Sequence, residues 1–270
     1  MVDVKNTSRE EETLMRNISK VAKDWWDFTT IDTEIMEAAA RLSVKDLLAL
    51  QRPGFTIKMY ETRDEFFLAE ALEYIKAFTA STADNPTGIC GPIGPTEQLP
   101  LVARIINDMQ IDVREGHFWS MDEWVVDGKD VDISHPLSFK RSNMELLFNR
   151  IDKNLRMPEK NLHFPTVAGL AAYSASFDEI TCLCMQGGQG ESKHWACNDP
   201  PQRVAPYNKT PPSVAEYRKQ GARVVELHPM TMMQNARIWR DLACPLTRRN
   251  CGTIGNLEIR NGQYLAPRLA

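Results

Sequence analysis

The sequence lacks the features that would place the chain in a membrane or on a nucleic acid. No apolar run approaches the length of a membrane-spanning helix, and the first residues, MVDVKNTSREEE, lack the basic and apolar regions of a signal peptide. The formal net charge is −4 with both signs interspersed, so there is no broad positive field to attract nucleic acid. We therefore expect a cytoplasmic protein that binds neither membrane nor nucleic acid.

Motifs for metals, disulfides and nucleoside triphosphates are also lacking. The six cysteines follow neither a Cys-x-x-Cys pattern nor a small secreted framework, so we expect reduced thiols, with Cys182 and Cys184 packed as small hydrophobes along a strand. His194 has no partner at metal-ligand spacing. Lys193 follows Ser192, which does not fit the order of a phosphate-binding P-loop. We expect no metal and no redox cofactor.

The chain has the length and composition of a globular α/β protein. Its 270 residues, 43% hydrophobic and 25% charged, suffice for one large domain or two small ones. Strand-like and helix-like patterns alternate, which predicts a Rossmann-like, mostly parallel sheet with helices on both faces. The predicted strands are 55–60, 87–91, 113–120, 178–185 and 222–228, and the predicted helices between them are 96–109, 137–152, 165–176 and 212–220.

Helical patterns dominate the N-terminal part. Apolar spacing predicts helices over 8–28 and about 32–50, so we expect an N-terminal helical extension over 1–50, preceding the α/β domain of 51–270. A capping box at Thr62 opens a third helix that carries Phe66, Leu72, Ile75 and Phe78. We expect the aromatic residues Trp25, Trp26 and Phe28 to pack back on the domain rather than form a subunit contact.

Ligands of parallel sheets bind at the carboxyl ends of the strands. Three polar segments follow predicted strands in this way: 91–98, 120–127 and 186–199. In the first segment, Gly91, Gly94 and Thr96 lead from a strand into a helix, a pattern that suits an anion such as phosphate and equally an ordinary turn.

The other two segments carry candidate proton-transfer groups. Asp122 and Glu123 end a strand beside aromatic residues, so one of them is a candidate base, or caps the next segment. Imidazole titrates near neutrality, so His194 is a candidate acid and base, with Asp199 near enough to fix its tautomer. The Pro-rich stretch 200–212 is either a lid or a passive connection.

Residues from about 88 to 237 resemble the glucosamine-6-phosphate deaminase (isomerase) family, whose fold is shared with 6-phosphogluconolactonases and ribose-5-phosphate isomerases. The order and spacing of four segments carry the resemblance. They are Ser120–Trp124 (SMDEW), Ser134–Phe139 (SHPLSF), Gly187–Pro200 with its glycines and NDP ending, and Gln234–Arg237 (QNAR).

The resemblance implies a role for each matching position. The loop Gly91–Thr96 and Arg237 would hold the sugar phosphate, as a guanidinium suits phosphate. Asp122 would be the base that moves a proton between the carbons next to the carbonyl. His194 would open the sugar ring, oriented by two acidic residues.

The chain departs from the family pattern next to His194. Ser192 stands where the family has one of the two orienting carboxylates, and Asp199 stands where it has a glutamate. Glu191 is the adjacent acid that would substitute. The departures imply a diverged member, with glucosamine 6-phosphate as the default substrate.

The C-terminal tail, about 240–270, also departs from the family. Charged Arg248 and Arg249 fall where the family has a buried strand. Burying unpaired guanidinium groups costs several kcal/mol each, roughly, so we do not expect that segment to form a buried central strand.

The resemblance thus implies a deaminase-like enzyme that converts an amino-sugar phosphate to fructose 6-phosphate and ammonia. Homo-oligomers are common in the family, and no cofactor is implied. Two alternatives stay open: a 6-phosphogluconolactonase-like hydrolase, and a sugar-phosphate-binding protein without catalysis.

Overall fold

The computed structural model describes residues 19, 21–27, 33–94, 96–188, 190, 192, 194–238 and 250–253. Its strands are β1 Thr87–Gly91, β2 His117–Ser120, β3 Asp122–Val126, β4 Lys129–Asp130, β5 Leu162–His163, β6 Thr181–Met185, β7 Arg223–Glu226 and β8 Asn250–Thr253. Its helices are α1 Thr33–Ala40, α2 Val44–Ala49, α3 Arg63–Thr79, α4 Gln98–Asp108, α5 Phe139–Leu146, α6 Leu170–Glu179, α7 Val214–Tyr217 and α8 Pro229–Ile238. Short 3₁₀ turns occupy Phe148–Arg150 and Glu159–Asn161. Across the described residues, no helix combines the length and apolar character that crossing a membrane requires.

A parallel sheet forms the centre of the fold, as the alternating pattern predicted. Its strand order is β5-β2-β1-β6, and every neighbouring pair is parallel. The capping box predicted at Thr62 is present: its hydroxyl accepts from the Glu65 backbone N–H, and the Glu65 carboxylate accepts from the Thr62 N–H. This cap starts α3, which packs against β1.

Both faces of this sheet are covered by helices, which confirms the predicted architecture. Successive strand residues point to opposite faces. Ile89 and Phe118 belong to a core with residues of α3 and α4. Cys90 and Trp119, their neighbours along the chain, pack instead with residues of α6 such as Phe177.

Cys182 and Cys184 are buried as reduced thiols, as predicted, and an irregularity in the pairing of β1 with β6 places them in the cores on different faces of the sheet. Burial raises the pKa of the Cys182 thiol to about 12. The thiol is therefore protonated at neutral pH and behaves as a small apolar group.

A second, antiparallel sheet was not anticipated. Its order is β4-β3-β8-β7. The segment 222–228 was predicted to join the parallel sheet, and this was wrong, because β7 pairs antiparallel with β8. The expectation that the tail forms no buried central strand stays a prediction, since β8 lies between β3 and β7 in the antiparallel sheet and not in the parallel one. Arg248 and Arg249, on which that prediction depended, lie outside the described residues.

Other local predictions were wrong for identifiable reasons. Residues 55–60 alternate like a strand but form none, because no strand among the described residues pairs with them beyond a single bridge of Phe55 to Arg52. The helix predicted to about residue 50 is two helices, because Ser43 caps a new one with Asp46. Residues 21–27 of the helix predicted over 8–28 are turn and bridge instead.

The segment 21–27 packs onto the Pro-rich loop 200–212. The Trp26 N–H donates to the Pro201 carbonyl at 3.0 Å, and its indole Nε1 donates to the Tyr207 carbonyl at 2.8 Å. Trp25 and Trp26 are both buried, which confirms that they pack back on the chain. Phe28, grouped with them from the sequence, lies outside the described residues.

Candidate functional site

The three polar segments chosen from the sequence meet at one edge of the parallel sheet. They leave the carboxyl ends of the neighbouring strands β2, β1 and β6. Backbone bonds join them there: the Met121 N–H donates to the Gly91 carbonyl at 3.1 Å, and the Gln186 N–H donates to the Cys90 carbonyl at 2.9 Å. This edge is the candidate site.

The adjacent carboxylates Asp122 and Glu123 have different environments. Glu123 is buried and accepts from the backbone N–H groups of Phe139 and Lys140 at 3.0 and 2.8 Å, and from the Ser138 hydroxyl at 3.0 Å. It therefore caps the start of α5, where a helix favours negative charge. Asp122 is partly exposed, and its Oδ1 accepts from the Cys197 N–H at 3.1 Å.

A tight turn over residues 195–198 brings Asp199 back to His194. Ala196 adopts a left-handed conformation with φ of 55°, which is unusual for a residue other than glycine. The turn closes with the Asn198 N–H donating to the Trp195 carbonyl at 3.1 Å. The same turn places the Cys197 N–H against Asp122, so one loop connects both candidate groups.

His194 is held through one of its two ring nitrogens. Its Nδ1 lies 2.8 Å from Asp199 Oδ1. Because an ionised carboxylate only accepts hydrogen bonds, Nδ1 carries the proton and Nε2 is left as the basic nitrogen. Asp199 fixes the tautomer in this way although the resemblance implied the longer glutamate at this position.

Two hydroxyl groups hold the same carboxylate oxygen. Ser192 Oγ donates to Asp199 Oδ1, and Thr231 Oγ1 donates to it at 2.7 Å. The second oxygen, Oδ2, accepts from the His228 backbone N–H at 2.8 Å. Ser192, where the resemblance implied a carboxylate, thus supports Asp199 through its hydroxyl group. Sequence reasoning missed Thr231 and His228, although both lie a few residues before the Arg237 motif.

Serine, histidine and aspartate in contact suggest a hydrolase triad, and the geometry excludes that role. In such a triad the serine hydroxyl faces the ring nitrogen opposite the aspartate. Here Ser192 Oγ lies 2.9 Å from Nδ1, the same nitrogen that contacts Asp199. Ser192 is also only 1% exposed, so it offers no nucleophile to a substrate.

Glycine is required at position 190 by the imidazole. A Cβ there would lie 2.0 Å from His194 Nε2, closer than any non-bonded contact allows. The ring therefore sits directly on the Gly190 backbone. A Cβ on Gly188, by contrast, would meet no atom within 4 Å.

The three residues chosen from the predicted phosphate loop, Gly91, Gly94 and Thr96, differ in burial and in contacts. Gly91 is buried, and a Cβ there would lie 2.1 Å from the Tyr74 hydroxyl, so packing explains this glycine. Gly94 is exposed with φ of 122°. The Thr96 N–H donates to the Glu97 carboxylate at 3.0 Å. A phosphate bound by this loop would compete with Glu97 for that N–H group.

The structure does not describe the side chains of two predicted site residues, Arg237 and Glu191. Arg237 lies in the last turn of α8, the helix whose start supplies Thr231, but its side chain lies outside the described part. Glu191 lies outside the described residues altogether.

Within the described part of the chain, no group of three or more His, Cys, Asp or Glu is arranged to hold a metal ion.

Comparison with known proteins gives a structural match only. No family model matches the sequence, and no curated protein matches it. The fold matches a monomeric glucosamine-6-phosphate deaminase, described as a missing link of the NagB superfamily, with a TM-score of 0.55 and 15% identity. The match covers 75% of this chain and 77% of that one.

Two 6-phosphogluconolactonases are more distant. The protein from Leishmania guyanensis gives a TM-score of 0.48 at 12% identity, over 77% of this chain and 78% of that one. The protein from Thermotoga maritima gives 0.45 at 14%, over 73% and 75%. Neither likeness is close enough to support a conclusion. The match to the deaminase shows that the chain has the α/β fold of that protein.

Proposed function

We propose that the chain is an enzyme acting on a phosphorylated sugar, and specifically that it deaminates an amino-sugar phosphate. The observation that carries the proposal is the pairing of His194 Nδ1 with Asp199 at 2.8 Å, on a loop that also contacts Asp122. An imidazole of fixed tautomer and a carboxylate at one sheet edge are the two groups that ring opening and isomerisation require.

His194 Nε2 would perform the ring opening. It accepts the proton of the sugar's O1 hydroxyl and, as an imidazolium, delivers that proton to O5 as the C1–O5 bond breaks. The Asp199 carboxylate stabilises the imidazolium formed in this step because it accepts from Nδ1. Its four donors, from Ser192, His194, Thr231 and His228, keep it in place.

Asp122 would then move a proton between carbons. The carboxylate removes the C2 proton of the open-chain aldehyde and returns it to C1 on the same side, while O1 gains a proton and the amino group loses one. The resulting C2 imine takes up water and releases ammonia, leaving the ketose phosphate. The resemblance names glucosamine 6-phosphate as the substrate, and the charge of Arg237 in α8 suits the phosphate.

Ammonia release from glucosamine 6-phosphate by the purified chain tests the proposal. We expect turnover that Asp122→Asn and His194→Gln each reduce at least 100-fold, about the contribution of a positioned general base. Circular dichroism and thermal melting check that both variants fold. Hydrolysis of 6-phosphogluconolactone without ammonia release would instead support the lactonase alternative. Binding of the sugar phosphate without turnover would support the binding protein.

A further inference from the structure

His228 is a buried histidine to which the proposed reaction assigns no step. It directly precedes α8 and is 1% exposed. Its ring Nδ1 accepts from the Met230 N–H at 3.1 Å, which is the contact made by a side chain that caps a helix start. Because the accepting nitrogen carries no proton, the proton of the neutral ring is on Nε2.

The surroundings of His228 favour the neutral ring. Within the described residues, Nε2 has no hydrogen-bond partner, and the ring packs edge-on against Trp25 at 5.2 Å between centroids. Burial is the main cause that lowers the pKa of His228, and nearby His194 lowers it further, while Asp199 and Asp27 oppose the shift. Among the described residues, these three are the titratable groups whose charges act on the ring.

The start of α8 supplies two of the four donors to Asp199. The His228 backbone N–H binds Oδ2 and the Thr231 hydroxyl binds Oδ1. The three other donors all contact Oδ1, so among the described residues the His228 N–H is the contact that stops the carboxylate from rotating. A displaced helix start would therefore release Asp199 and change the orientation of His194.

We propose that His228 is a positioning residue, whose neutral ring caps α8 and so fixes Asp199 and, through it, His194. Its kinetic consequences rest on the proposed function, whereas its structural consequences do not. An asparagine or serine would cap the helix at any pH. A histidine does so only while Nδ1 can accept, so protonation removes the cap and couples the site to pH.

Two substitutions separate the side chain from the backbone contact. His228→Ala keeps the N–H that binds Asp199 but loses the cap, and His228→Asn restores an acceptor for Met230. We expect the alanine variant to lose about 10-fold to 100-fold in kcat, the scale of a misplaced catalytic group, with KM changed less. We expect the asparagine variant to recover kcat at neutral pH.

His135→Ala is the matched control. His135 Nδ1 accepts from the Leu137 N–H at 3.1 Å, the same local contact made away from Asp199. We expect this variant to keep both kcat and the pH profile of the wild type. The proposal is overturned if His228→Ala behaves like the control, or if His228→Asn fails to restore the rate.

Nuclear magnetic resonance of the ring nitrogens tests the proposal without any substrate. The chain has five histidines, so each signal can be assigned by substitution. We expect a protonated Nε2 on His228, and a slowly exchanging Nδ1 proton on His194 that is lost in His228→Ala and kept in His228→Asn. If that proton persists in His228→Ala, the positioning role is wrong even where the deaminase activity is present. If it follows the prediction in a protein without turnover, only the proposed function fails.

Discussion

The His194 ring packs so closely on the Gly190 backbone that position 190 has no room for a side chain. A methyl group at position 190 would meet His194 Nε2 at 2.0 Å, and Nε2 is the nitrogen that the proposed ring opening uses. We predict that Gly190→Ala displaces the imidazole and lowers kcat for ammonia release by about 100-fold, the cost of a shift of about 1 Å.

Gly188→Ala is the control for this substitution, since a Cβ at that position meets nothing within 4 Å. It makes the same chemical change in the same glycine-rich turn. We expect it to retain the rate. If both variants lose activity equally, the turn needs backbone freedom in general, and the contact with His194 does not explain the effect.

At the residue scale, sequence reasoning predicted which candidate residues lie close together but not the hydrogen bonds between them. The spacing of His194 and Asp199 was enough to pair them, because a short loop limits how far apart they can be. Ser192 was interpreted from the sequence as a lost carboxylate. The structure gives it a supporting role that depends on Thr231, 39 positions along the chain. Such a long-range contact leaves no local pattern.

At the scale of elements, Glu123 connects strand β3 of the antiparallel sheet with helix α5. It lies in β3 of the antiparallel sheet and caps α5 through the N–H groups of Phe139 and Lys140. We predict that Glu123→Gln lowers the free energy of unfolding by about 2–4 kcal/mol. The NH2 group of the glutamine would face buried N–H and O–H groups that also need an acceptor, so these hydrogen bonds would be lost. Urea unfolding followed by circular dichroism measures the loss.

Asp122→Asn is the comparison for that measurement. The asparagine keeps an oxygen that can accept from the Cys197 N–H, so we expect a loss of stability below about 1 kcal/mol together with the loss of activity. The division of roles between the two carboxylates is wrong if Asp122→Asn destabilises the chain as much as Glu123→Gln does.

Elements with strong local signals were the ones that the sequence predicted. The five-residue strand β1 is fully buried and the start of α3 is a capping box, and both were found where predicted. The antiparallel sheet was missed because β3 and β8 join residues more than 120 positions apart. The segment 55–60 has a strand pattern, but the described part of the chain places no strand beside it, and a local pattern does not show whether a partner strand is present.

At the scale of the whole molecule, residues 21–27 and the loop 200–212 form one packed unit. The contacts include the two bonds of Trp26, a bridge of Trp25 to Gln202, and the Arg203 N–H donating to the Asp24 carbonyl at 2.7 Å. The Arg203 guanidinium also lies 5.1 Å from the centre of the Trp26 ring. The sequence did not predict this association, since nothing in either segment identifies the other.

Trp26→Ala tests how closely the N-terminal segment and the loop depend on one another. The side chain is fully buried, so we predict a loss of about 3–5 kcal/mol in the free energy of unfolding. We also predict faster trypsin cleavage after Arg203 and Lys209, because the loop loses the Nε1 bond to Tyr207 and the ring beneath Arg203. Mass spectrometry of the first fragments identifies the cleaved bonds.

Two controls distinguish a local effect from general destabilisation. Val21→Ala changes an exposed side chain of the same segment and should leave cleavage unchanged. Glu123→Gln is destabilised elsewhere in the fold and should not favour cleavage at the loop. If Trp26→Ala is cleaved no faster at Arg203 and Lys209 than Glu123→Gln, the segment does not hold the loop. It would then behave as the separate N-terminal extension that the sequence indicated for residues 1–50.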